Sequence, residues 1–544
     1  MTSLLRSTAI PLAFLFLAHL NVVAQQSRPT AKSRVIVGAT VIDGSGRKAF
    51  RANVRIVGDR IARVGRFSPR AGEEIIPARG MVVAPGFIDI HNHSEEGLAR
   101  EPAAANQVSQ GITTLAVGPD GGSPWPIADY LKKREEQGIA VNVLSFIGHA
   151  TVRQQVMGKD YDRAATAEEI SKMKALVDQA MREGAFGLSS GLEYDVGRSA
   201  TTEELIELSR AASHYGGIYM THMRDEEEGM LDALREAIRV GREARLPVQI
   251  SHIKMGNRNV WGKAPEAIAV INRARKAGSD ITADCYPYTA WASTITVLVP
   301  SRRHDDKQTV ETGLKNVGGA DHVLVTNCKA HPEFEGKILE EIARSANTTA
   351  VEAYQRIVHD GGASVVCSSM NEADVHAFYI QRWVMVASDG GIGSRHPRGS
   401  GTFPRVLGRF AREQHWFPME EAIRKMTSAP AARLALSDRG LIRNGMKADL
   451  VIFDPKRVLD KSTFKESQLL SEGIERVFVN GEPVWEQGKP TGGLPGNVIR
   501  RAPENKGGAM HRLKTRRLSN ATVIRAAGLL MSLCLFSSDR REKV

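Results

Sequence analysis

Two histidines separated by a single residue, His91 and His93, follow an apolar stretch at residues 86–90. Alternate residues of a β-strand point to the same face, so the two imidazoles are expected to converge at one end of a strand. Two converging imidazoles can bind one divalent metal ion. Such a pair also occurs for structural reasons alone, so a metal site requires further ligands from the rest of the chain.

Further candidate ligands stand at or just beyond the ends of other apolar runs of strand length. They are His222, His252, Asp389 and Glu193. Nitrogen and oxygen ligands without cysteine favour one or two zinc ions, while manganese, iron or cobalt also fit. Two ions would need a bridging carboxylate. We prefer Glu193, because the fourth strand can reach both sites between the first and fifth strands. The alternative is Asp120, which is also typical of a Pro-Asp-Gly turn.

These residue types together predict hydrolysis. A divalent metal lowers the pKa of a water molecule that it binds to about 7, so that the water becomes a nucleophile at neutral pH. Asp389 is expected to act as the general base and then to pass the proton to the leaving amine. Its Ser-Asp-Gly context is also typical of a helix N-cap, but the accompanying ligand set favours the catalytic role.

Alternating strands and helices position these residues. Between residues 86 and 439, eight apolar runs alternate with helical segments, which predicts an α/β fold, a (β/α)8 TIM-type barrel with its active site at the carboxyl ends of the strands. Thr166 and Thr201 are each followed three residues later by glutamate, as in a capping box. Residues 289–382 separate the seventh and eighth strands and are interpreted as an inserted, lid-like subdomain.

Short β-rich segments flank the barrel on both sides. Residues 33–85 and 440–490 are rich in β-branched residues and contain Asp-Gly, Gly-Asp and Asn-Gly turns, which are typical of hairpins. A chain of 544 residues is long enough for a large domain with a smaller companion. We therefore predict one small β-sandwich domain built from both ends of the chain.

The two ends of the chain differ in composition from its body. Residues 1–24 have a basic residue, a short apolar run and a Val-Val-Ala cleavage site, which indicates a secretory signal peptide. The apolar run is short for a spanning helix, so we expect a secreted or periplasmic protein without stable membrane insertion after cleavage. Residues 501–544 carry a net charge of +7 and are expected to form a disordered basic tail, or alternatively a weak membrane-surface segment.

Charge and cysteine content exclude several classes of protein. The net charge of the whole chain is +12, but the body between the two terminal segments carries only about +4, which is not typical of nucleic-acid binding. The four cysteines are widely spaced and form no Cys-x-x-Cys pair, so a disulfide framework is not expected. The expected partner is a small-molecule substrate.

Seven short motifs occur together between about Val35 and about Gly488. They are Pro85-Gly-Phe-Ile-Asp-Ile-His-Asn-His93, Gly187-Leu-Ser-Ser-Gly-Leu-Glu-Tyr194, Thr221-His-Met-Arg224, Ser251-His-Ile-Lys254, Ala283-Asp-Cys-Tyr-Pro-Tyr288, Ser388-Asp-Gly390 and His396-Pro-Arg-Gly-Ser-Gly-Thr-Phe403. With these motifs the chain resembles the amidohydrolase superfamily, and within it the N-acyl-D-amino-acid deacylase group. The first motif alone marks only the superfamily.

The resemblance implies a linear amide substrate, from which the enzyme removes the acyl group of an N-acyl-D-amino acid. It also implies Lys254, Tyr286 and Arg398 as candidates for binding the substrate α-carboxylate, which a guanidinium can hold through two hydrogen bonds. Known D-aminoacylases carry a metal-binding cysteine where this chain has Asp120. The resemblance then suggests that Glu193 bridges two metals.

Two other functions are compatible with the same motifs. A cyclic amidase or dipeptidase of the superfamily would differ only in its substrate pocket. A catalytically silent scaffold of this fold is a third hypothesis, but the complete ligand set and the intact Asp389 argue against it.

Overall fold

The computed structural model describes residues 32–501. The predicted signal peptide, and the predicted basic tail apart from Arg501, lie outside the described residues. Between residues 32 and 501, no helix is both long and apolar enough to cross a lipid bilayer.

Eight parallel strands, numbered in chain order, form the predicted barrel. Barrel strands 1 to 8 are Phe87–Asp89, Ile112–Val117, Asn142–Ser145 continued by Ile147–Gly148, Gly187–Gly191, Ile218–His222, Val248–Ile250, Ile281–Cys285 and Val384–Val386. The ring closes just beyond strands 8 and 1, where the His93 N–H donates to the Gly390 carbonyl (2.7 Å) and the Asp389 N–H donates to the His91 carbonyl (3.0 Å). The carboxyl ends of the strands therefore meet at one rim, and the predicted fold class is confirmed.

Helices and a few helical turns connect the barrel strands and cover the outside of the barrel. Their bounds are Gly97–Arg100, Ala105–Val108, Ile127–Gln137, His149–Met157, Ala167–Arg182, Asp195–Arg198, Thr202–Ser213, Met230–Ala244, Arg258–Val260, Ala264–Lys276, Glu372–Tyr379, Arg398–Arg405, Val406–Glu413, Met419–Met426 and Ser428–Arg433. Apolar residues at helical spacing pack against the strands, as in the helix after Thr166, which buries Met173, Val177 and Met181.

Only one of the two predicted capping boxes is complete. The Thr166 hydroxyl accepts from the Glu169 N–H, and the Glu169 carboxylate accepts from the Thr166 N–H. At Thr201 the hydroxyl accepts from the Glu204 N–H, but the Glu204 carboxylate binds Arg153 (2.6 and 2.7 Å) and His149 (2.8 Å) instead. A buried guanidinium needs this counter-charge, and that need outweighs the local cap.

Strands from both ends of the chain form one nine-stranded sheet, as predicted for the sandwich domain. They are Ser33–Val41, Phe50–Val57, Arg60–Gly65, Glu74–Pro77, Val82–Pro85, Leu450–Phe453, Ile474–Val479, Glu482–Glu486 and Lys489–Pro490. The two halves meet where Val82–Pro85 pairs antiparallel with Leu450–Phe453. This sheet encloses an apolar core of its own, separate from that of the barrel.

An inserted subdomain stands between strands 7 and 8. Its elements are the strands Trp291–Thr294, Val323–Asn327 and Ser364–Cys367, the helices Lys307–Val317, Leu339–Ser345 and Ala350–His359, and the short 3-10 turns Ile295–Leu298, Ala320–His322 and Pro332–Phe334. The three strands form an antiparallel sheet. The next helix, Glu372–Tyr379, packs against barrel strands 7 and 8 and so belongs with the barrel. The inserted subdomain therefore ends before residue 382, the limit predicted from the sequence.

Candidate metal centre and substrate pocket

The two histidines of the first motif converge, although strand 1 ends before them at Asp89. The Nε2 atoms of His91 and His93 are 3.3 Å apart. Both lie close to Oδ1 of Asp389, at 3.3 Å from His91 and 3.2 Å from His93. Two ring nitrogens can approach this closely when a proton or a metal ion lies between them.

Asp120, just beyond strand 2, lies at the centre of the cluster. Its Oδ2 is 3.1 Å from Nε2 of His91, 3.4 Å from Nε2 of His93 and 3.4 Å from Nε2 of His252. Its Oδ1 is buried, and no described residue donates a hydrogen bond to it. A buried carboxylate oxygen without a donor is costly, and a bound cation would satisfy it.

Strands 5 and 6 contribute a second pair of histidines. Nδ1 of His222 lies 3.0 Å from Nε2 of His252. Oε2 of Glu193, after strand 4, is 2.7 Å from Nε2 of His222. On the other side of His252, Oε1 of Glu226 lies 3.0 Å from Nδ1 and holds the ring in place. The side chains from strands 1, 5, 6 and 8 are thus brought together as the sequence indicates.

Two overlapping groups of side chains could each hold a metal ion. One consists of His91, Asp120, His252 and Asp389, and the other of His222, Glu226 and His252; within each group the ligand atoms lie within 4.8 Å of one another. His252 belongs to both. Imidazole and carboxylate donors without a thiolate fit zinc. The residues present therefore fit the metal expected from the sequence.

The two candidate bridging carboxylates lie at different places in the cluster, and the preference for Glu193 stays a prediction. The Asp120 carboxylate approaches histidines from strands 1 and 6, whereas the Glu193 carboxylate approaches His222. The reason is local, because the Gly-Pro-Asp-Gly turn after strand 2 directs the Asp120 side chain into the barrel mouth. Asp120 can therefore be both a turn residue and a metal ligand.

Electrostatics of the metal-free protein favour protons on His91, His93 and His252 and negative charge on Asp120 and Asp389. Burial lowers the pKa of His252, but the surrounding carboxylates outweigh this effect and raise it to about 9. For His91, burial also lowers the pKa, and Asp120 and Asp389 raise it well above its usual value. Burial raises the pKa of Asp389, yet the Arg398 guanidinium and the histidines hold it well below the usual range. The site is therefore arranged to stabilise positive charge at its centre.

Three residues of the cluster have left-handed backbone conformations that are uncommon outside glycine. The φ angles are 54° at Asp120, 32° at His252 and 48° at Asp389. Each such residue costs about 1–3 kcal/mol, and such residues concentrate at functional sites. The fold thus tolerates backbone strain at the points where ligands must be directed inward.

Two buried aspartates that the sequence analysis did not single out position these residues. Asp89 accepts hydrogen bonds from Ser388 (2.5 Å from Oγ, 3.0 Å from N) and from Asn92 (2.8 Å), and so joins strand 1 to strand 8. Asp284 accepts from the His252 N–H (2.8 Å). Each stands at the end of an apolar strand, in the same position as the predicted ligands. This placement is the sequence feature by which both aspartates could have been identified.

The three candidate carboxylate-binding residues lie on one side of the cluster. Nη1 of Arg398 donates to Oδ2 of Asp389 (2.6 Å), while its buried Nε has no acceptor among the described residues. The Arg398 guanidinium lies 4.8 Å from the centre of the Tyr286 ring. Lys254 forms an ion pair with Glu226 and lies 6.0 Å from the same ring. Their arrangement leaves guanidinium donors available to an anionic ligand.

Two cavities meet at this cluster. A small inner pocket is lined by Lys254 and Tyr286. An outer cavity of about 1020 Å3 is lined by His93 and Asp120 and by the subdomain sheet. Asp389 belongs to the walls of both.

The amidohydrolase family model matches residues 74–381 and 379–485, and so most of the barrel and the C-terminal strands. This chain belongs to the amidohydrolase family. Among curated amidohydrolases, the D-aminoacylase of Alcaligenes xylosoxydans xylosoxydans is 38% identical over 492 residues, which cover 86% of this chain and 97% of that protein. The resemblance stated from the motifs is thereby confirmed.

Solved amidohydrolase structures extend the comparison to the fold. The N-acyl-D-glutamate deacylase of Bordetella bronchiseptica, in complex with zinc and a phosphonate inhibitor, is 32% identical with a TM-score of 0.79. A D-aminoacylase studied for its binuclear metal centre is 36% identical with a TM-score of 0.78. Each comparison covers 87% of this chain and 100% of the other.

Proposed function

We propose that this protein is a metal-dependent hydrolase that removes the acyl group from N-acyl-D-amino acids. The observation that carries the proposal is the direct contact between the two halves of the site. Asp389 lies within 3.3 Å of both His91 and His93, and its other oxygen accepts from the buried Arg398. A group that can move protons is therefore adjacent to a group that can bind a carboxylate, as cleavage of an acyl amino acid requires.

The metal would be held by the histidines and carboxylates at the barrel mouth. We propose that His91, His93, Asp120, His222, His252 and Asp389 would hold the metal, and that Glu193, 2.7 Å from His222, would hold that ring in place. A bound zinc ion would supply a nucleophilic water near neutral pH and polarise the scissile carbonyl. The zinc in the related N-acyl-D-glutamate deacylase supports this choice of metal.

Asp389 would carry the proton through the reaction. Its carboxylate stays ionised at neutral pH, because Arg398 and the histidines hold its pKa low. It can therefore accept the proton of the attacking water at Oδ1. It would return this proton to the amide nitrogen as the C–N bond breaks, which gives a free carboxylate and a free amino acid.

Arg398, Lys254 and Tyr286 would bind the substrate α-carboxylate in the inner pocket. A guanidinium has five N–H donors, and Arg398 gives one of them to Asp389, so others remain for a ligand. This set favours a linear substrate over a hydantoin, in which the carboxyl carbon of the amino acid is part of the ring and presents no free carboxylate. We therefore place the cyclic-amidase hypothesis second.

A panel of substrates tests the proposal. We expect the purified, zinc-loaded protein to hydrolyse N-acetyl-D-amino acids, to leave the L-enantiomers intact and to leave hydantoins intact. Equal rates on both enantiomers would refute the deacylase assignment, and preference for hydantoin would establish the cyclic-amidase alternative. Bound metal without turnover on any of these compounds would establish the silent scaffold.

We further propose that the enzyme acts outside the cytoplasm. The support is the sequence of residues 1–24, with its apolar run and small-residue cleavage site. Expression of the full chain followed by N-terminal sequencing of the exported protein should give Gln25 as the first residue. Retention of Met1 in the cytoplasmic fraction would contradict this localisation.

A further inference from the structure

We propose that the outer cavity is an acyl-chain site and that the preferred acyl group is a hydrocarbon chain longer than acetyl. This inference rests on the proposed function. Lys254 and Tyr286 line only the inner pocket, His93 and Asp120 line only the outer cavity, and Arg398 lines both. Asp389 and Arg398 both stand at the boundary, so we place the scissile amide there, with the α-carboxylate towards Lys254 and Tyr286 and the acyl group in the outer cavity.

The size of the outer cavity far exceeds the needs of a small acyl group. Its volume is about 1020 Å3, at the upper end of the ~300–1,000 Å3 typical of sites for drug-sized ligands. An acetyl group contributes only three heavy atoms. The inserted subdomain forms one wall through Ala292, Val365 and Val366, so the cavity extends from the metal cluster along the subdomain sheet.

Away from Arg398 and the metal cluster, the walls include apolar surface that a hydrocarbon chain could cover. Pro119, Pro124, Tyr130 and Ile392 contribute apolar area around the entrance to the metal cluster. An acyl chain laid against these residues would lose its contact with water without requiring a polar partner.

Away from Arg398 and the metal cluster, charged side chains in the same walls have partners within the protein. Glu95 accepts from the Gly118 N–H (2.5 Å). At the exposed rim, Arg100 forms an ion pair with Glu96 at 3.5 Å, and Arg395 pairs with Glu335. A charged acyl group would have to compete with these internal contacts, whereas a hydrocarbon chain would not.

Gly122 offers a way to fill this cavity without disturbing the fold. It lines the outer cavity, and a Cβ added there would meet no heavy atom within 4 Å. A leucine at this position therefore has room in the wall of the outer cavity, where it would reduce the space proposed for the acyl chain. Lys132 provides a matched control, because its side chain is 71% exposed on a barrel helix and contacts only Glu136 across the surface.

The experiment compares N-acetyl, N-butanoyl, N-hexanoyl and N-octanoyl derivatives of one D-amino acid on the zinc-loaded protein. Each methylene buried in the cavity should raise kcat/KM by up to about fourfold, until the chain fills the site. The Gly122→Leu variant should lower the ratio of octanoyl to acetyl kcat/KM at least tenfold, and Lys132→Leu should leave the ratio unchanged. A rate that is flat or falls with chain length would overturn the proposal.

Calorimetry with octanoate and acetate separates this inference from the proposed function. Octanoate should bind the wild-type protein more tightly than acetate, and Gly122→Leu should remove that difference. This result would support the acyl-chain site whether or not D-amino-acid derivatives are hydrolysed. If none of them were hydrolysed, only the proposed function would be refuted. Equal binding of both acids would overturn the acyl-chain site even if N-acetyl-D-amino acids were good substrates.

Discussion

Replacing Asp389 with asparagine removes the proton acceptor while keeping the size of the side chain. An asparagine oxygen can still accept from Arg398, whose Nη1 lies 2.6 Å from the Asp389 carboxylate. General acid–base catalysis typically contributes about 10²–10⁴ in rate. We therefore expect kcat to fall by about three orders of magnitude, which corresponds to about 4 kcal/mol of transition-state stabilisation.

The stability change should be much smaller than the catalytic change. A charge-assisted hydrogen bond becomes a neutral one, which costs about 1 kcal/mol. Thermal unfolding followed by circular dichroism should therefore show a Tm close to that of the wild type. Asp232→Asn is the control, because it removes the same charge from a side chain that is 86% exposed and pairs only with Arg235; it should change neither rate nor Tm.

Metal analysis of Asp389→Asn completes the assay. Elemental analysis at saturating zinc should give a metal content similar to that of the wild type, because the histidines and Asp120 remain. A loss of less than tenfold in kcat with full metal content would refute the role of Asp389 in proton transfer. A parallel loss of metal and rate would assign it to metal binding alone.

Five further predictions test the rest of the site and the fold. Asp120→Ala should lower the zinc content measured by elemental analysis, since its carboxylate approaches histidines from two strands; unchanged stoichiometry would exclude it as a bridge. Lys254→Met should raise KM at least tenfold with a smaller change in kcat, and an unchanged KM would remove it from substrate binding. His252 has a pKa of about 9 in the metal-free protein. Zinc uptake at pH 7.5 should therefore release protons, seen as a buffer-dependent enthalpy, and no release would contradict this charge state. The raised pKa also means that protonated His252 stabilises the metal-free protein. This stabilisation should be complete below pH 6.5 and should be lost as the pH rises through 9, so the Tm of the metal-free protein should fall over that range. Glu204→Ala should destabilise the fold by about 3–5 kcal/mol in denaturant titration, because it leaves the buried Arg153 unpaired; a change below 1 kcal/mol would show that the pair is not important.

The sequence predicted the barrel well because its signals are local. Each strand is a short apolar run, and the polar residues at or just beyond its end face one rim by the geometry of the fold alone. His222 and His252 could be assigned in this way without knowing how far apart the strands lie. The nine-stranded sheet was also predictable, because alternating residues and Asp-Gly or Asn-Gly turns mark both of its halves.

The parts that could not be predicted depend on distances between segments far apart in the chain. Choosing between Asp120 and Glu193 requires the direction of a side chain in a turn, and that direction follows from a left-handed φ of 54° at Asp120. Glu204 has the spacing of a cap, but a buried arginine from another helix takes its carboxylate. The role of Asp284 was missed for the same reason, since its partner belongs to a neighbouring strand.

The mixed origin of the nine-stranded sheet has a consequence for how the chain folds during synthesis. Arg34 is buried and binds Glu482, which lies 448 residues later in the chain, at 2.7 Å. At about 5–20 residues per second, the ribosome needs roughly 20 to 90 s to deliver that partner. During this time the strand Val82–Pro85 has an unpaired edge where Leu450–Phe453 will later join.

An exposed strand edge on a nascent chain is a site for association with other chains. We therefore expect the yield of native protein to depend on molecular chaperones that bind the first strands until translation ends. A chain that stops before Leu450 should complete many of its barrel contacts and still accumulate in aggregates, because the final pairing partner of its first domain has not been made.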